Sequence, residues 1–168
     1  SKEIINGIEV PKLYDLLEKI DWECVSDGTP CMFHGDLHFE NILVSESGDF
    51  LLLDWRQDFG NILHYGDLYY DLAKLLHGMI VSHELINKEM FLIEKKANVI
   101  NFDILRKNIM VECEKYFENF ILDNGHDLKK VKILTALVFL NIAALHHYPY
   151  SEFLFYLGKY QLNNLLEI

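Results

Sequence analysis

Behind Pro11, the apolar residues Leu13, Leu16, Leu17 and Ile20 recur at helical spacing, which predicts a short helix ending near Asp21. The turn residues Asp27-Gly28-Thr29-Pro30 then give way to three short apolar runs, Cys31 to Phe33, Ile42 to Val44 and Phe50 to Leu53. The last two flank Ser45-Glu46-Ser47-Gly48-Asp49 and predict a small β-hairpin. A polar loop, His34 to Asn41, lies between the first two runs, and Asp54 closes the third. A loop and a strand end are thereby set to converge, an arrangement suited to chemistry.

The rest of the pattern is helical. A helix from about Tyr69 places Leu72, Leu75, Leu76 and Met79 on one face, and another carries Ile109, Cys113, Tyr116, Phe117 and Phe120 up to a break at Asp123-Asn124-Gly125. Met90 to Ile104 reads equally as a second hairpin or as irregular structure. Ile133 to Leu145 is apolar nearly all round but interrupted by Thr135 and Asn141, and it falls short of the roughly 20 residues of a membrane span. It reads as a helix buried inside the domain. After Pro149 a last amphipathic helix carries Phe153, Leu157 and Tyr160. With no internal repeat and no linker, residues 1–168 form one α+β domain, mostly helical, with a few short strands early in the chain.

Composition narrows the guests more than the fold. The 168 residues are 51% hydrophobic and 24% charged, which excludes a disordered or low-complexity chain. The net charge of −11 repels nucleic-acid backbones and anionic membranes, so neither is an expected partner, and it favours a cationic small molecule or a metal. Cys24, Cys31 and Cys113 are an odd set without C-x-x-C spacing, indicating neither a disulfide framework nor zinc and pointing to a reducing cytoplasm. The first residues do not read as a secretory signal, and the missing initiator Met reads as a processed chain or a piece of a longer one.

The polar loop reads His34-Gly35-Asp36-Leu37-His38-Phe39-Glu40-Asn41, an H-x-D-x-x-x-x-N spacing, and Asp54 follows at the end of the hairpin. Phosphoryl transfer to an alcohol uses a carboxylate that orients the hydroxyl and accepts its proton, and oxygen ligands that hold Mg²⁺ on the nucleotide phosphates. The spacing agrees with the kinase catalytic loop and its metal-binding Asp, with Asp36 as the base and Asn41 and Asp54 as the ligands.

On the stretches HGDLHFENIL, LLLDW and GDLYYDLAKL, residues 32–76 resemble the aminoglycoside phosphotransferase and choline kinase family, small-molecule relatives of the protein kinases. The resemblance implies the C-terminal lobe of a protein-kinase-like fold, whose short β-hairpins carry the catalytic loop. It also implies ATP or GTP as phosphoryl donor, Mg²⁺, and a small-molecule hydroxyl acceptor such as an aminoglycoside, choline, ethanolamine or a sugar. Asp36 is then the catalytic base, Asn41 and Asp54 the metal ligands, Asp71 the helix residue that braces the loop through backbone hydrogen bonds, and His34 a structural support. Two departures stand out. Trp55-Arg56 replaces the Phe-Gly of protein kinases, and neither a G-x-G-x-x-G loop nor a V-A-I-K-like strand is present. The nucleotide-cradling N-terminal lobe is therefore expected as a missing part of the same polypeptide, and apolar residues that would face it are expected to be exposed or buried in a homo-oligomeric contact.

On the acceptor side, Asp58 and Asp67 read as partners for substrate cations, and Asp67 equally as a helix cap. Tyr65, Tyr69 and Tyr70 read as a cage for a quaternary amine or as ordinary core and rim. The acidic balance, with Glu40, Asp58 and Asp67 near the loop, favours a neutral or cationic acceptor, while Arg56 and His64 argue the other way. Two other readings stand beside the kinase: a non-catalytic binding or interaction domain that keeps the lobe, and a metal-dependent phosphoesterase suggested by Gly35-Asp36-Leu37-His38. The second needs an upstream D-x-H and a downstream G-N-H-[DE], which the chain lacks.

Overall fold

In the computed structural model, which describes residues 2–167, the chain opens on a hairpin of β1 (Glu3–Ile5) and β2 (Ile8–Val10). Asn6 and Gly7 join the strands with φ of 47° and 81°, the left-handed pair that a tight hairpin turn requires. Strands this short show no alternation, so the Asn-Gly pair is the one sequence signal that marks them. Next comes α1 (Leu13–Leu17), shorter than the expected helix, and beyond it an unexpected α2 (Trp22–Ser26); the side chain of Asp21 caps α2 by accepting from the Cys24 amide at 3.0 Å. The strand β3 (Pro30–Cys31) is shorter than the predicted run, and β4 (Ile42–Val44) and β5 (Phe50–Leu52) form the predicted hairpin.

The remaining elements are β6 (Gly66–Asp67), α3 (Leu68–Ile80), α4 (His83–Asn87), β7 (Phe91–Lys96), β8 (Val99–Ile104), α5 (Asn108–Asp123), α6 (Leu128–Ala143) and α7 (Tyr150–Leu166). The molecule is α+β, about 48% helical with small sheets. The segment open to two readings is a hairpin, β7–β8, and it builds the largest sheet, in the order β2-β1-β8-β7. Strand β1 runs parallel to β8, Ile4 opposite Val99, so the principal sheet is not confined to the early chain. A nearly buried ion pair fastens this sheet to α7: Lys159, 3% exposed, meets Glu3 Oε2 at 2.5 Å, and Tyr156 donates to the other oxygen.

Helix α6 is the axis of the core. From Lys130 to Ala143 only Asn141 is exposed, because α3 and α5 cover one side, α7 another, and α2 its start. That all-round cover explains an apolar pattern that would otherwise suggest a membrane helix. Among the described residues no helix is long and apolar enough to cross a membrane. Helices α6 and α7 approach closely at Gly158, where a Cβ would stand 2.8 Å from the Ala136 carbonyl oxygen.

His77 of α3 is buried against Phe139, and neither ring nitrogen has a hydrogen-bond partner. Burial, with the Lys74 cation adding, pushes the ring down to about 3. The unfolded ring takes its proton near pH 6.5, so the folded state loses stability as the pH falls below that value, by about 2 kcal/mol between about pH 7 and pH 5. Replacing His77 by Leu should remove a difference of that size between urea unfolding free energies at the two pH values. An unchanged difference would mean that the ring is not buried and neutral.

Candidate active site

The loop from Phe33 to Asn41 is fixed at its start by packing and at its base by one carboxylate. Strands β3 and β6 pair antiparallel, Cys31 opposite Gly66, which brings the start of the loop beside the start of α3. Phe33 lies so close over Gly66 that a Cβ there would sit 2.4 Å from its ring. The backbone N–H groups of His34 and Gly35 then donate to Asp71 Oδ2 and Oδ1 at 2.6 and 2.8 Å, with Asp71 buried. Gly35 has a φ of 80°, and Arg56 Cβ would be 2.6 Å from any side chain placed there. His34 is buried too; its Nδ1 accepts from the Asp36 amide at 3.2 Å, and its ring lies against Trp55.

This backbone turns the Asp36 carboxylate toward three cationic or titratable groups. Lys74 Nζ lies 2.8 Å from Oδ1, while Arg56 and His38 Nε2 each lie 3.6 Å from Oδ2. Burial pushes the Asp36 carboxyl up, but the Lys74 hydrogen bond and charge, with smaller contributions from His38 and Arg56, outweigh it and hold the group below its ordinary value. His38 Nδ1 in turn meets Glu40 at 2.8 Å, and His83 approaches the other Glu40 oxygen at 3.4 Å.

Asn41 closes a single 3-10 turn, Phe39–Asn41, and its Nδ2 donates to the Asp36 carbonyl at 3.0 Å, which ties the two ends of the loop together. The Asn41 carbonyl accepts from the Leu53 amide at 2.8 Å, extending the β4–β5 ladder by one step, so Asp54 stands beside Asn41 at the open end of the hairpin. Asp54 has a φ of 54°, a left-handed conformation that Asp tolerates better than most residues. Its exposed carboxylate has no hydrogen-bond or ion-pair partner among the described residues. Asp36, Asp54 and Asp58 line one open, mainly polar recess of about 650 Å³. A second cleft of about 520 Å³ runs from Asp36, Arg56 and Lys74 past Tyr70 to Asn141 of α6.

The other acceptor-side candidates divide. Asp58 borders both recesses and accepts from the Asn61 amide at 3.1 Å. Asp67 Oδ1 accepts from the amides of Thr29 and Tyr69, at 2.9 and 3.1 Å, and so caps α3. Tyr65 and Tyr70 border a third cleft together, but Tyr69 faces away: its hydroxyl accepts from the Asp127 amide and its ring lies 4.2 Å under Lys130 Nζ. The three tyrosines therefore do not form one cage, because consecutive helical positions point to different sides. The sequence reading passed over Lys74. Its signal was its position three residues after Asp71 on a helix, hence on the same face.

Residues 7–89 match the family model described as Phosphotransferase enzyme family, APH. The matched segment holds the loop, the β4–β5 hairpin and α3, though not the α6 wall of the second cleft, and it bears out the resemblance to the aminoglycoside phosphotransferase and choline kinase family. No curated protein and no solved structure matches the chain.

Replacing Asp71 by Ala leaves the His34 and Gly35 amides without their acceptor in a buried position, which costs about 2–4 kcal/mol of unfolding free energy. The two amides should also lose protection against hydrogen exchange before their neighbours do. If both keep their wild-type exchange rates in a folded Asp71→Ala protein, the carboxylate is not what holds the loop.

Proposed function

We propose that this chain is the catalytic half of a small-molecule kinase, which transfers the γ-phosphoryl group of a nucleotide to a substrate hydroxyl with Mg²⁺. The observation that carries the reading is the convergence of Asp36, Asn41 and Asp54 at one end of the β4–β5 hairpin, on a loop clamped by Asp71, within the segment that matches the phosphotransferase family. Asp36 would receive the acceptor hydroxyl, orient it toward phosphorus and take its proton.

The donor set suits a magnesium ion. The Asn41 amide nitrogen is engaged by the loop, which directs its oxygen elsewhere, and the exposed Asp54 carboxylate has no partner among the described residues. Among the described residues no three His, Cys, Asp or Glu side chains are grouped to hold a metal. Mg²⁺ is commonly bound in this way, through one or two protein oxygens with substrate phosphates and water completing the octahedron. Bound there, it would neutralise charge on the donor phosphates. Asn41 and Asp54 would hold it.

The exposed hairpin supports a second half to the enzyme. Leu43 and Leu51, paired on one side, and Val44 and Phe50, paired on the other, are all exposed, Phe50 at 72%. Such an apolar hairpin beside a phosphate site is where a nucleotide base and a nucleotide-holding lobe would close. The acceptor would enter from the other side, along the cleft that passes Tyr70 and Asp58.

In the full natural polypeptide, Asp36→Asn should lower kcat by about 100-fold or more with the fold intact, since an amide orients a hydroxyl but does not take its proton. Unchanged turnover would remove Asp36 from the role of base. Replacing Asp54 by Ala should weaken ATP binding only when magnesium is present. Calorimetry that finds the same loss in metal-free buffer would show that Asp54 is not a ligand.

A further inference from the structure

Lys74 is a cation that the reading above does not use. It extends from α3 one turn after Asp71, so the helix that holds the loop's amides also holds the loop's carboxylate. Its side chain is only 12% exposed, and a lysine so far from water needs an anion. Asp36 supplies that anion here, at 2.8 Å. Yet this pairing occupies one of the two oxygens that a substrate hydroxyl would use, and it lowers the proton affinity of the group meant to act as base. The other oxygen already faces Arg56 and His38. Two Lys or Arg cations thus converge on one cleft and offset the charges of Asp36 and Asp58 there, so the cleft is locally neutral in a chain whose net charge is −11.

Resting on the phosphotransferase reading, we infer that Lys74 is a catalytic residue of the transfer step: its ammonium leaves Asp36 Oδ1 for an oxygen of the incoming phosphoryl group and frees that carboxylate oxygen for the acceptor hydroxyl. The phosphoryl group carries more negative charge than a carboxylate, and the flexible four-carbon stem lets the ammonium turn between the two without moving α3. The acceptor oxygen bonds to phosphorus while the bond from phosphorus to the bridging oxygen of the nucleotide breaks. The leaving diphosphate keeps that electron pair, the hydroxyl proton passes to Asp36, and Lys74 stays an ammonium throughout. Arrival of the donor is what releases the base, so Asp36 is held in check while the cleft is empty.

Two readings on the full natural polypeptide test this: steady-state turnover with ATP, and the affinity for magnesium ADP with and without aluminium fluoride, which mimics the phosphoryl group in flight. Lys74→Met should lower kcat by about 100-fold, the scale of losing one charge-stabilising donor, and leave the acceptor KM within about threefold. It should also abolish the extra affinity conferred by aluminium fluoride while keeping the affinity for magnesium ADP. Lys74→Arg, which retains the charge, should keep part of both. A melting temperature for each variant separates loss of fold from loss of function, and Lys74→Gln serves if the Met variant does not fold. If Asp36→Asn abolishes turnover while Lys74→Met and Lys74→Gln leave kcat and the fluoride effect at wild-type levels, the role of Lys74 is wrong and the kinase reading stands. If the wild-type protein neither turns over nor binds magnesium ADP, both fall together.

Discussion

The site depends on one carboxylate placed between two consecutive amides. His34 and Gly35 both donate to Asp71, and no other residue among those described accepts from them, so the direction of the backbone into Asp36 is set by where α3 puts its fourth residue. A charged acceptor makes these hydrogen bonds strong, and the burial of Asp71 keeps water from competing. The position of α3 is in turn fixed by α6, against which it packs along its apolar face, and by α5 beyond it. The loop is thus referred to the core of the molecule through a single side chain. Gly35 has no alternative, since its positive φ and the Arg56 stem against it exclude a side chain.

Where local pattern and tertiary need coincide, the sequence was legible. Leu72, Leu76 and Met79 share one face of α3 because that face meets α5 and α6, and Ile42 to Val44 and Phe50 to Leu52 pair across the turn that their spacing implies. Features set by distant partners were not readable. Nothing within Glu3–Ile5 announces a parallel partner at Val99–Ile104, and nothing within α6 says which of its neighbours will cover each side. The spacing of Asp36, Asn41 and Asp54 was visible because a loop and a hairpin carry them in sequence order. Lys74 lay in plain view on a helix, but its partner is loop residue Asp36, and charge pairing between a helix and a loop has no periodic signature.

Electrostatically the molecule is layered. Its surface is acidic overall, yet Lys74 and Arg56 border the cleft, and buried or shielded lysines recur at other joints, Lys130 on the Asp27 carbonyl and Lys159 on Glu3. Lys74, Lys130 and Lys159 are drawn inward, each onto a specific oxygen partner, while most of the other lysines and arginines stay at the surface. A field of this kind slows the approach of a free polyanion from bulk water and rewards one whose charge is already screened.

The pairing of β1 with β8 has a consequence for how the chain comes to be folded. Asn6 exchanges hydrogen bonds with Phe102 across a separation of 96 positions, and Lys159 reaches Glu3 across 156. Contacts so distant along the chain require closure of a large loop before they return any stability, which places them late on the folding path. During synthesis the β1–β2 hairpin emerges well before its partner strand, its β1 edge unpaired until β8 and then α7 arrive. The clamp of the loop on Asp71 spans only 36 and 37 positions, so the chemistry-bearing segment can assemble while the sheet that seals the molecule is still open.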